Sequence, residues 1–378
     1  VVLHGSLHEG ASARLIDRRE ADRSIVKLDE SSLKAMLDAE IAASLGYVGK
    51  LSEQRRKALY YYYGEAKEDL SPPEVDGRSS AVSTDLSDVV EWIMPALMKM
   101  FAGGDETVQF TPRKGADVEA AEQMTALCNA IWDKNGGFKI YHNWCKDALL
   151  EKVGVVKIWW DRRDEKKREE YHGLTDMGLT MLAQTEGLEI VEHSSYPMPG
   201  AQPQMGPDGQ PQPVPMLHDV ACLVTKPKNE ICVENVPPEE FLISRRAKSI
   251  ADAPFICHRT PKTQSDLIAM GYDPKIIDGL SSDERWGEYN AERVERIVKD
   301  DETPWYQASN ADRSQRTFWV AECYVRVDWD GDGVAELRKI TKVGNVILDN
   351  EEVDSYPFAA LTPILMPHRF FGRSLYDV

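Results

Sequence analysis

One segment, Gly77 to Pro112, constrains the fold more than any other part of the chain. Its apolar residues recur at three- and four-residue steps, which predicts an amphipathic helix with one buried stripe. Ser83 or Thr84 can cap the first turn of this helix, and Gly103-Gly104 can end it. Pro95 falls inside the stripe and predicts either a kink or a division into two pieces. A short strand, closed by the final proline of the segment, should follow the helix.

Predicted helices dominate the first part of the chain and predicted strands the second. Between Ser31 and Gly64 we expect two helices that are separated at Gly46, because glycine commonly ends a helix. The order of elements lacks the strand–helix alternation of a nucleotide-binding sheet, so the pattern indicates an α+β fold, with N-terminal helices packed on small antiparallel or mixed sheets. Further helices are predicted at 116–134, 138–152, 174–183, 264–270 and 275–280, and strands at 155–160, 188–192, 220–225, 230–236, 318–327, 334–341 and 346–348.

The composition divides the chain into three parts. Residues 1–30 are polar and irregular and predict a flexible N-terminal arm. Residues 31–152 should be mainly helical and residues 153–378 mainly β-structure. Within the last part, residues 196–215 are rich in proline, glycine and glutamine, which predicts a mobile loop at the tip of a hairpin. Residues 161–170 mix charges of both signs and are interpreted as a solvated turn or helix end.

Charge and cysteine content limit the classes of partner. The chain has 45 Lys and Arg against 63 Asp and Glu, a net charge of -18. Such an excess of carboxylates opposes the phosphate contacts that give DNA-binding proteins their affinity, although it also favours solubility alone. The six cysteines stand singly, without metal-ligand spacing, as in proteins of reducing compartments. Because neither a signal peptide nor a long apolar run is present, we expect a protein made in the cytoplasm and no membrane association.

Four stretches of the chain, taken in order, are similar to one protein family. They resemble the portal proteins of tailed double-stranded DNA bacteriophages, in the short-tailed-phage branch, over roughly residue 50 to the end. The resemblance depends on long segments in register rather than on a short catalytic motif. The stretches are EQRRKALYYYYGE (Glu53 to Glu65), Gly77 to Pro112, Val233 to Thr260, and the closing pair Val320 to Thr341 and Pro363 to Val378.

The resemblance implies a structural role at the head–tail junction of a virion. Portal subunits form a closed ring of twelve copies at one capsid vertex, in which each subunit presents two different faces to its neighbours. Through this ring the genome is packaged and ejected; double-stranded DNA passes without sequence-specific binding, and acidic walls discourage gripping of its backbone. Implied partners are the terminase large subunit, the capsid and scaffolding proteins and a tail adaptor, with assembly in the host cytoplasm.

For the chain itself, the resemblance implies the N-terminal part of a portal protein. The residues present would form the outer wing or hip region, and the long helices that line the channel would lie beyond Val378. None of the portal roles is a chemical reaction. We therefore expect no enzyme activity, no catalytic residues, no cofactor and no metal-ligating residues.

One acidic turn matches the opening of a calcium-binding loop. Asp328, Asp330 and Asp332 stand at positions one, three and five, with glycine at position six, as in an EF-hand. Position twelve, which requires a bidentate glutamate, is Lys339, and Glu336 at position nine could contribute through water. The flanking residues predict strands, and aspartate and glycine are also typical of hairpin turns. Both a bound cation and a plain turn remain open, and the plain turn is favoured.

Two other functions compete with the portal interpretation. A metal-dependent nuclease or another DNA-processing enzyme would use Asp161, Asp164, Glu165 and Lys166, which follow a predicted buried strand, as in two-metal sites. A non-portal head–tail adaptor protein would form similar rings without the four stretches in order.

Two further motifs are incomplete versions of known sites. Ser44–Ser52 contains a Gly-Lys pair but lacks the other residues of a phosphate-binding loop. Ser79 and Ser80 lack the last glycine of a nucleophile elbow, so turn and cap roles are favoured for them.

Surface contacts are predicted from basic and aromatic clusters. The basic residues of 244–248 and 368–373 could contact phosphates, but intersubunit salt bridges to carboxylates are an equal or better use for them. Tyr60 to Tyr63 must point to several sides of a helix, so some of these rings could meet a neighbouring subunit, although packing within the chain is favoured.

Overall fold

The computed structural model describes residues 28–72, 76–77, 79, 81–104, 106–112, 114–200, 214–280, 292–293, 295 and 312–378. Within these residues the chain forms seven α-helices and two antiparallel sheets, which confirms the predicted α+β class. Residues 1–27 of the predicted arm and 201–213 of the predicted mobile loop lie outside this range. Of the described helices, none combines the length and apolarity needed to cross a bilayer.

The elements follow one another in the order that the sequence predicts, helices first. The helices are α1 (Glu30–Tyr63), α2 (Asp85–Ala102), α3 (Val118–Lys134), α4 (Gly137–Glu151), α5 (Asp176–Ala183), α6 (Gln264–Ala269) and α7 (Pro274–Asp278). The strands are β1 (Gly154–Leu174), β2 (Leu188–Pro197), β3 (Met216–Val236), β4 (Phe241–Ile243), β5 (Phe255–Thr263), β6 (Thr317–Val327), β7 (Glu336–Val343), β8 (Val346–Glu352) and β9 (Phe358–Leu361).

The chain divides into two compact units. The first unit comprises Val1–Ile158, Val233–Lys262 and Leu280–Val378, and the second comprises Trp159–Cys232 and Thr263–Gly279. One sheet has the strand order β4-β5-β6-β7-β8 and the other β2-β3-β1-β9. The long strands β1 and β3 each contribute residues to both units.

Helix α1 is continuous, so the predicted separation at Gly46 is wrong. It has 34 residues and is about 51 Å long at 1.5 Å per residue. Asp29 caps its start by accepting a hydrogen bond from the backbone N–H of Ser32, and Gly64 ends it in the left-handed conformation with φ 65°. Gly46 lies on the exposed side of the helix, while a buried stripe continues past it from Leu33 to Ala58. Burial of that stripe outweighs the weak helix preference of one glycine.

Helix α2 is also undivided, although Pro95 lies inside it. Its apolar stripe packs against α4, and this tertiary contact stabilises the helix despite the hydrogen bond that proline cannot donate. Thr84 stands at the N-cap without a side-chain capping hydrogen bond. The shared cluster consists of Val90, Met94 and Met98 of α2 with Cys145, Leu149 and Leu150 of α4.

The described residues that follow α2, 106–112, do not form the strand that the sequence predicts. Their backbone is bonded by side chains of α3 instead of by a neighbouring strand. Thr107 donates its N–H to Asn129 Oδ1 at 2.9 Å, and Phe110 donates its N–H to Thr125 Oγ1 at 3.0 Å. These contacts satisfy backbone groups that a sheet would otherwise have to satisfy.

The five-stranded sheet confirms the predicted hairpin and its third strand. Strands β6 and β7 pair from Val320↔Val343 to Val327↔Glu336, and β8 extends the sheet on the β7 side. One face of the sheet forms a core with α1. That core contains Leu33, Leu37, Ile41 and Val48 of α1 with Leu242, Phe255, Cys257, Cys323, Val325, Val327 and Ile340 of the sheet.

Strand β1 runs to Leu174, so the predicted solvated turn at 161–170 is wrong. Most side chains there are exposed, and a strand that is solvated on its faces tolerates the charges that a buried strand would exclude. Likewise, the two strands predicted between 220 and 236 form the single strand β3.

Strands β2 and β3 form the predicted hairpin that flanks the proline-rich segment. They pair antiparallel from Leu188↔Val224 to Pro197↔Met216, with a register shift between Ile190 and Glu192. The register ends at the pair Pro197↔Met216, and residues 201–213 of the proline-rich segment are outside the described residues.

A buried ion pair joins the two sheets inside the first unit. Lys157 of β1 donates to Glu322 of β6 at 2.8 Å, and Tyr324 donates to the same carboxylate at 2.5 Å. Burial alone would raise the pKa of Glu322, but the Lys157 charge and these hydrogen bonds outweigh it and hold the pKa at about 2, below its ordinary 4.5. The pair therefore stabilises the fold only while both partners are charged.

Replacement of Gly46 by alanine tests the continuity of α1. Because the residue lies inside an exposed helix surface with no atom near an added Cβ, Gly46→Ala should raise the free energy of unfolding by about 0.5–1 kcal/mol. Chemical denaturation measures the change.

Gly64→Ala is the matched control for that variant. Its φ is positive and its Cβ would lie 2.7 Å from Thr84 Cγ2, so this variant should lose about 1 kcal/mol or more. A loss of stability in Gly46→Ala would indicate that the helix does end near residue 46.

Removing Lys157 should leave Glu322 charged and buried without its partner. Lys157→Met is expected to lower the free energy of unfolding by about 3–5 kcal/mol near neutral pH, and Lys157→Met with Glu322→Leu should recover most of that loss.

The pH dependence of this loss provides a second test. A carboxylate whose pKa is lowered by folding stabilises the protein at pH values above its unfolded-state pKa. This stabilisation is lost as the pH falls and the carboxylate becomes protonated. The difference between wild type and Lys157→Met should therefore narrow as pH falls from 4.5 toward 2. A difference that is independent of pH would contradict this assignment.

Candidate functional site

Among the described side chains of the hypothesised nuclease residues, the two acids Asp161 and Glu165 do not converge on one point. Asp161 is buried in the second unit, where Arg163 binds both of its carboxylate oxygens at 2.7–3.0 Å. Glu165 lies four residues further along the same strand, about 13 Å away at 3.3 Å per residue. The side chain of Asp164 is outside the described residues. Two metal ions about 4 Å apart require carboxylates that converge, and Asp161 and Glu165 are too far apart to do so.

The surroundings of Asp161 are those of an ion-paired network. Lys228 lies 3.6 Å from the Asp161 carboxylate and 2.5 Å from Glu230, so two cations share these two acids. Asp161, Glu230 and Cys232 lie close enough together to surround one ion. Burial raises the pKa of the Cys232 thiol, and the two carboxylates raise it further. The described contacts of the two acids are ion pairs with Arg163 and Lys228.

The acidic turn between β6 and β7 is a self-bonded hairpin turn. Asp328 accepts hydrogen bonds from the N–H groups of Gly331 and Gly333 at 2.7 and 2.8 Å. Both glycines have φ near 90°, a conformation that other residues rarely adopt. The three aspartate carboxylates of the turn lie within 4.8 Å of one another. The favoured plain turn and a bound cation both stay predictions, because three carboxylates held this close together fit either one.

The carboxylate of Glu336, which could contribute to a cation site, contacts other groups in the structure. Its carboxylate accepts the N–H of Trp329 at 3.0 Å and lies 3.6 Å from Arg338. In the described part of the chain, no Lys or Arg forms an ion pair with Asp328, Asp330 or Asp332. We call these three carboxylates the acidic tip.

The other sequence motifs occupy ordinary structural positions. Ser44–Ser52 lies within α1, and a continuous helix cannot curve around a phosphate as a phosphate-binding loop does. Ser79 Oγ accepts the N–H of Ala81 at 3.2 Å, which is a turn contact; Ser80 is outside the described residues.

The tyrosine run at the end of α1 packs largely within the chain, as favoured. Tyr61 stacks edge-to-face on Tyr376 with ring centroids 5.0 Å apart, and Tyr62 donates a hydrogen bond to Glu91. Tyr60 is buried, while Tyr63 is the most exposed of the four.

The two predicted basic clusters meet in one cleft of the first unit. This cleft has a volume of about 660 Å³ and lies between the middle of α1 and the segment that follows β9. Tyr47 and Phe371, with ring centroids 5.5 Å apart, form an aromatic part of its lining. Five cationic side chains surround it against one carboxylate. We call this feature the cationic cleft; its charged residues are Lys50, Lys152, Arg245, Arg369, Arg373 and Asp377.

Most of these cations lack a compensating acid. Lys152 pairs with Asp377 at 2.7 Å, and this contact outweighs burial to lower the pKa of Asp377. Arg373 donates to the backbone carbonyl of the same aspartate. In the described part of the chain, the other three cations of the cleft have no carboxylate at ion-pair distance. The cleft is therefore a concentrated positive site on a chain of net charge -18.

A close backbone approach fixes one wall of the cleft. A Cβ on Gly372 would lie 2.1 Å from the carbonyl oxygen of Ile364, so only glycine fits at this position. The N–H of Arg373 donates to that same carbonyl at 3.0 Å. Phe371, the neighbour on the other side, is buried in the core beneath. This local geometry positions the basic side chains of 368–373 beside α1.

Sequence reasoning found part of this cleft and missed the rest. The basic runs at 244–248 and 368–373 were visible as clusters, whereas Lys50 and Lys152 stand alone in the sequence. Their positions on α1 and just after α4 become neighbours only through the tertiary fold. No motif spacing could have identified them.

The sequence of the chain is also similar to that of a known protein family. No curated protein matches the chain. A family profile described as Phage SU10 portal protein matches residues 33–378, beginning earlier than the resemblance from roughly residue 50. The matched range includes nearly all of α1 and every later helix and strand. Because the match extends over most of the sequence, and the α+β fold agrees with it, the chain belongs to the phage SU10 portal protein family and is a head–tail connector protein of a bacteriophage.

Proposed function

We propose that this chain forms the outer wing of a portal ring of twelve subunits, in which residues 31–152 supply the mainly helical part and residues 153–378 the mainly β part. The observation that carries the proposal is the family match over residues 33–378. Portal proteins are structural ring proteins of the capsid vertex through which DNA passes. The proposal adds that this ring docks the terminase large subunit, contacts capsid and scaffolding proteins, holds a tail adaptor and assembles in the host cytoplasm.

The described side chains support an architectural rather than a catalytic role. Three groups that could have carried chemistry have structural partners: Asp161 is bound by Arg163, Asp328 by its own turn and Ser79 by Ala81. A catalytic group needs an accessible position next to a reacting atom. We therefore propose that the chain is not an enzyme.

An exposed apolar stripe on α2 supports assembly with a neighbouring subunit. Val89, Trp92, Ala96 and Met100 recur at three- and four-residue steps on the side of the helix opposite the buried stripe. The side chain of Trp92 is 87% exposed, and that of Met100 is 72% exposed. Large apolar groups that line up on one surface mark an interaction site, and in a ring-forming family the occupant is the next subunit.

The net charge supports passage of DNA without gripping. A protein that holds duplex DNA neutralises several phosphates with clustered Lys and Arg. The net charge of -18 opposes such contacts, so an outer wing formed by this chain leaves the DNA unbound.

Purified intact protein should form closed rings of uniform size in negative-stain electron microscopy. Trp92→Ser should weaken the contact between subunits by about 2 kcal/mol for each interface, because buried tryptophans are often hot spots. Mass photometry across a concentration series would show the loss of rings. Wild-type protein that stays monomeric at all concentrations would contradict the proposed function.

Lys99→Ser provides the control on the same exposed face of α2. It removes a charge but leaves the apolar stripe, so rings should persist. Circular dichroism and thermal unfolding of both variants should match wild type, since neither side chain is buried.

A DNA-cleavage assay separates the structural role from the nuclease hypothesis. Duplex and single-stranded DNA incubated with the protein and Mg²⁺ or Mn²⁺ should remain intact, because the described acids do not converge on a metal pair. Any trace of cleavage should be equal in wild type, Asp161→Ala and Lys166→Ala. Metal-dependent cleavage that both substitutions abolish would establish an enzyme instead.

A further inference from the structure

The first unit carries two charged features of opposite sign that remain uncompensated. The cationic cleft has Lys50, Arg245 and Arg369 without carboxylate partners among the described residues. The acidic tip has three carboxylates without Lys or Arg partners in the same part of the chain. Concentrated charge of one sign destabilises a free surface, and pairing with the opposite sign relieves it.

The acidic tip is shaped to project its charges. It is the turn between two long paired strands, β6 and β7, and its backbone N–H groups bond its own carboxylates. Asp330 accepts from the N–H of Asp332 at 3.1 Å, and Asp332 accepts from Val334 at 2.7 Å. Both side chains are exposed. A turn with few internal degrees of freedom loses little entropy when a partner binds it.

The cationic cleft is shaped to receive a compact group. Its volume of about 660 Å³ is in the range of pockets that enclose a few side chains. The aromatic rings of Tyr47 and Phe371 lie among the cations, and Arg245 lies over the Tyr47 ring at 5.9 Å. Arginine is well suited to bidentate pairing with carboxylates. A duplex is a long rod and needs a track of charges rather than one recess, so a projecting acidic loop fits better.

We propose that in the ring the acidic tip of each subunit inserts into the cationic cleft of the next subunit. A closed heterologous ring requires two different surfaces that are complementary, and these two features meet that requirement on one chain. The inference depends on the proposed ring assembly and goes beyond it by naming the two surfaces that join. Carboxylates of Asp330 and Asp332 pair there with the guanidinium groups of Arg245 and Arg369.

Reversing the charges on one side should disrupt the ring. The cleft variant carries Arg245→Glu and Arg369→Glu, and the tip variant carries Asp330→Lys and Asp332→Lys; Asp328 is kept because it holds the turn. For intact protein, mass photometry should show that each variant needs about a tenfold or greater concentration than wild type for half-maximal ring formation. Raised salt should weaken wild-type assembly, since ions screen the contact.

Mixing the two variants is the decisive experiment. In an alternating ring, the lysines of the tip variant meet the glutamates of the cleft variant, and the unchanged tip meets the unchanged cleft. Equimolar mixing should therefore restore rings that neither variant forms alone. Restoration cannot come from a misfolded chain, so it also shows that both variants fold. Lys139→Glu with Glu186→Lys, two exposed residues outside both features, is the control and should assemble like wild type.

The other outcomes of these experiments separate a failure of the proposed contact between tip and cleft from a failure of the proposed function. If wild type forms rings and both variants do so equally well, the inference is overturned while the proposed function stands. If the cleft variant assembles normally but loses affinity for a fluorescent 20-base-pair duplex, the cleft binds nucleic acid and the inference is again overturned. If the cleft variant alone fails and mixing does not rescue it, the occupant is not the acidic tip. If wild type never forms rings, the proposed function itself fails.

Discussion

The packing of one long helix, α1, against the five-stranded sheet determines the arrangement of the first unit. Its buried Leu33, Leu37 and Ile41 contact strands that are distant in the sequence, and each such side chain contributes roughly 1.5–3 kcal/mol through burial. Further along, Arg55 is fully buried, donates to the backbone carbonyl of Glu151 at 3.0 Å and lies 5.5 Å from the ring of Phe371. The same helix therefore orders the sheet core at one end and the lining of the cationic cleft in its middle.

Sequence patterns correctly predicted the helices and strands whose formation depends on residues close together in the sequence. The apolar stripe of α2, the hairpin of β6 and β7 and the α+β order all follow from periodicity and turn residues, and the structure confirms them. The errors came where tertiary contacts outweigh local preference: Gly46 remains helical, and residues 161–170 stay extended. Of the two outcomes predicted for Pro95, a kink or a division of the helix, the structure excludes the division. The cleft could be predicted only in part, because Lys50 and Lys152 become its neighbours through folding alone.

Buried and exposed charges differ in whether they have ion-pair partners within the described part of the chain. Inside the first unit, Lys157 and Glu322 are paired and hydrogen-bonded, as desolvated ions must be. At the surface, three cations of the cleft (Lys50, Arg245 and Arg369) and the acids of the tip have no ion-pair partner in the described part of the same chain. A subunit built to join its neighbours can leave such charges open, because the assembled ring can satisfy them.

Strand β2 stands at the edge of its sheet, so one row of its backbone groups has no partner strand among the described residues. Its register shift between Ile190 and Glu192, its charged Glu189 and the proline at its end all interrupt that row. Edges with such irregularities resist the uncontrolled addition of strands from other molecules. In a protein of a ring-forming family, such an edge disfavours open fibres that add strands without limit and so favours a finite particle.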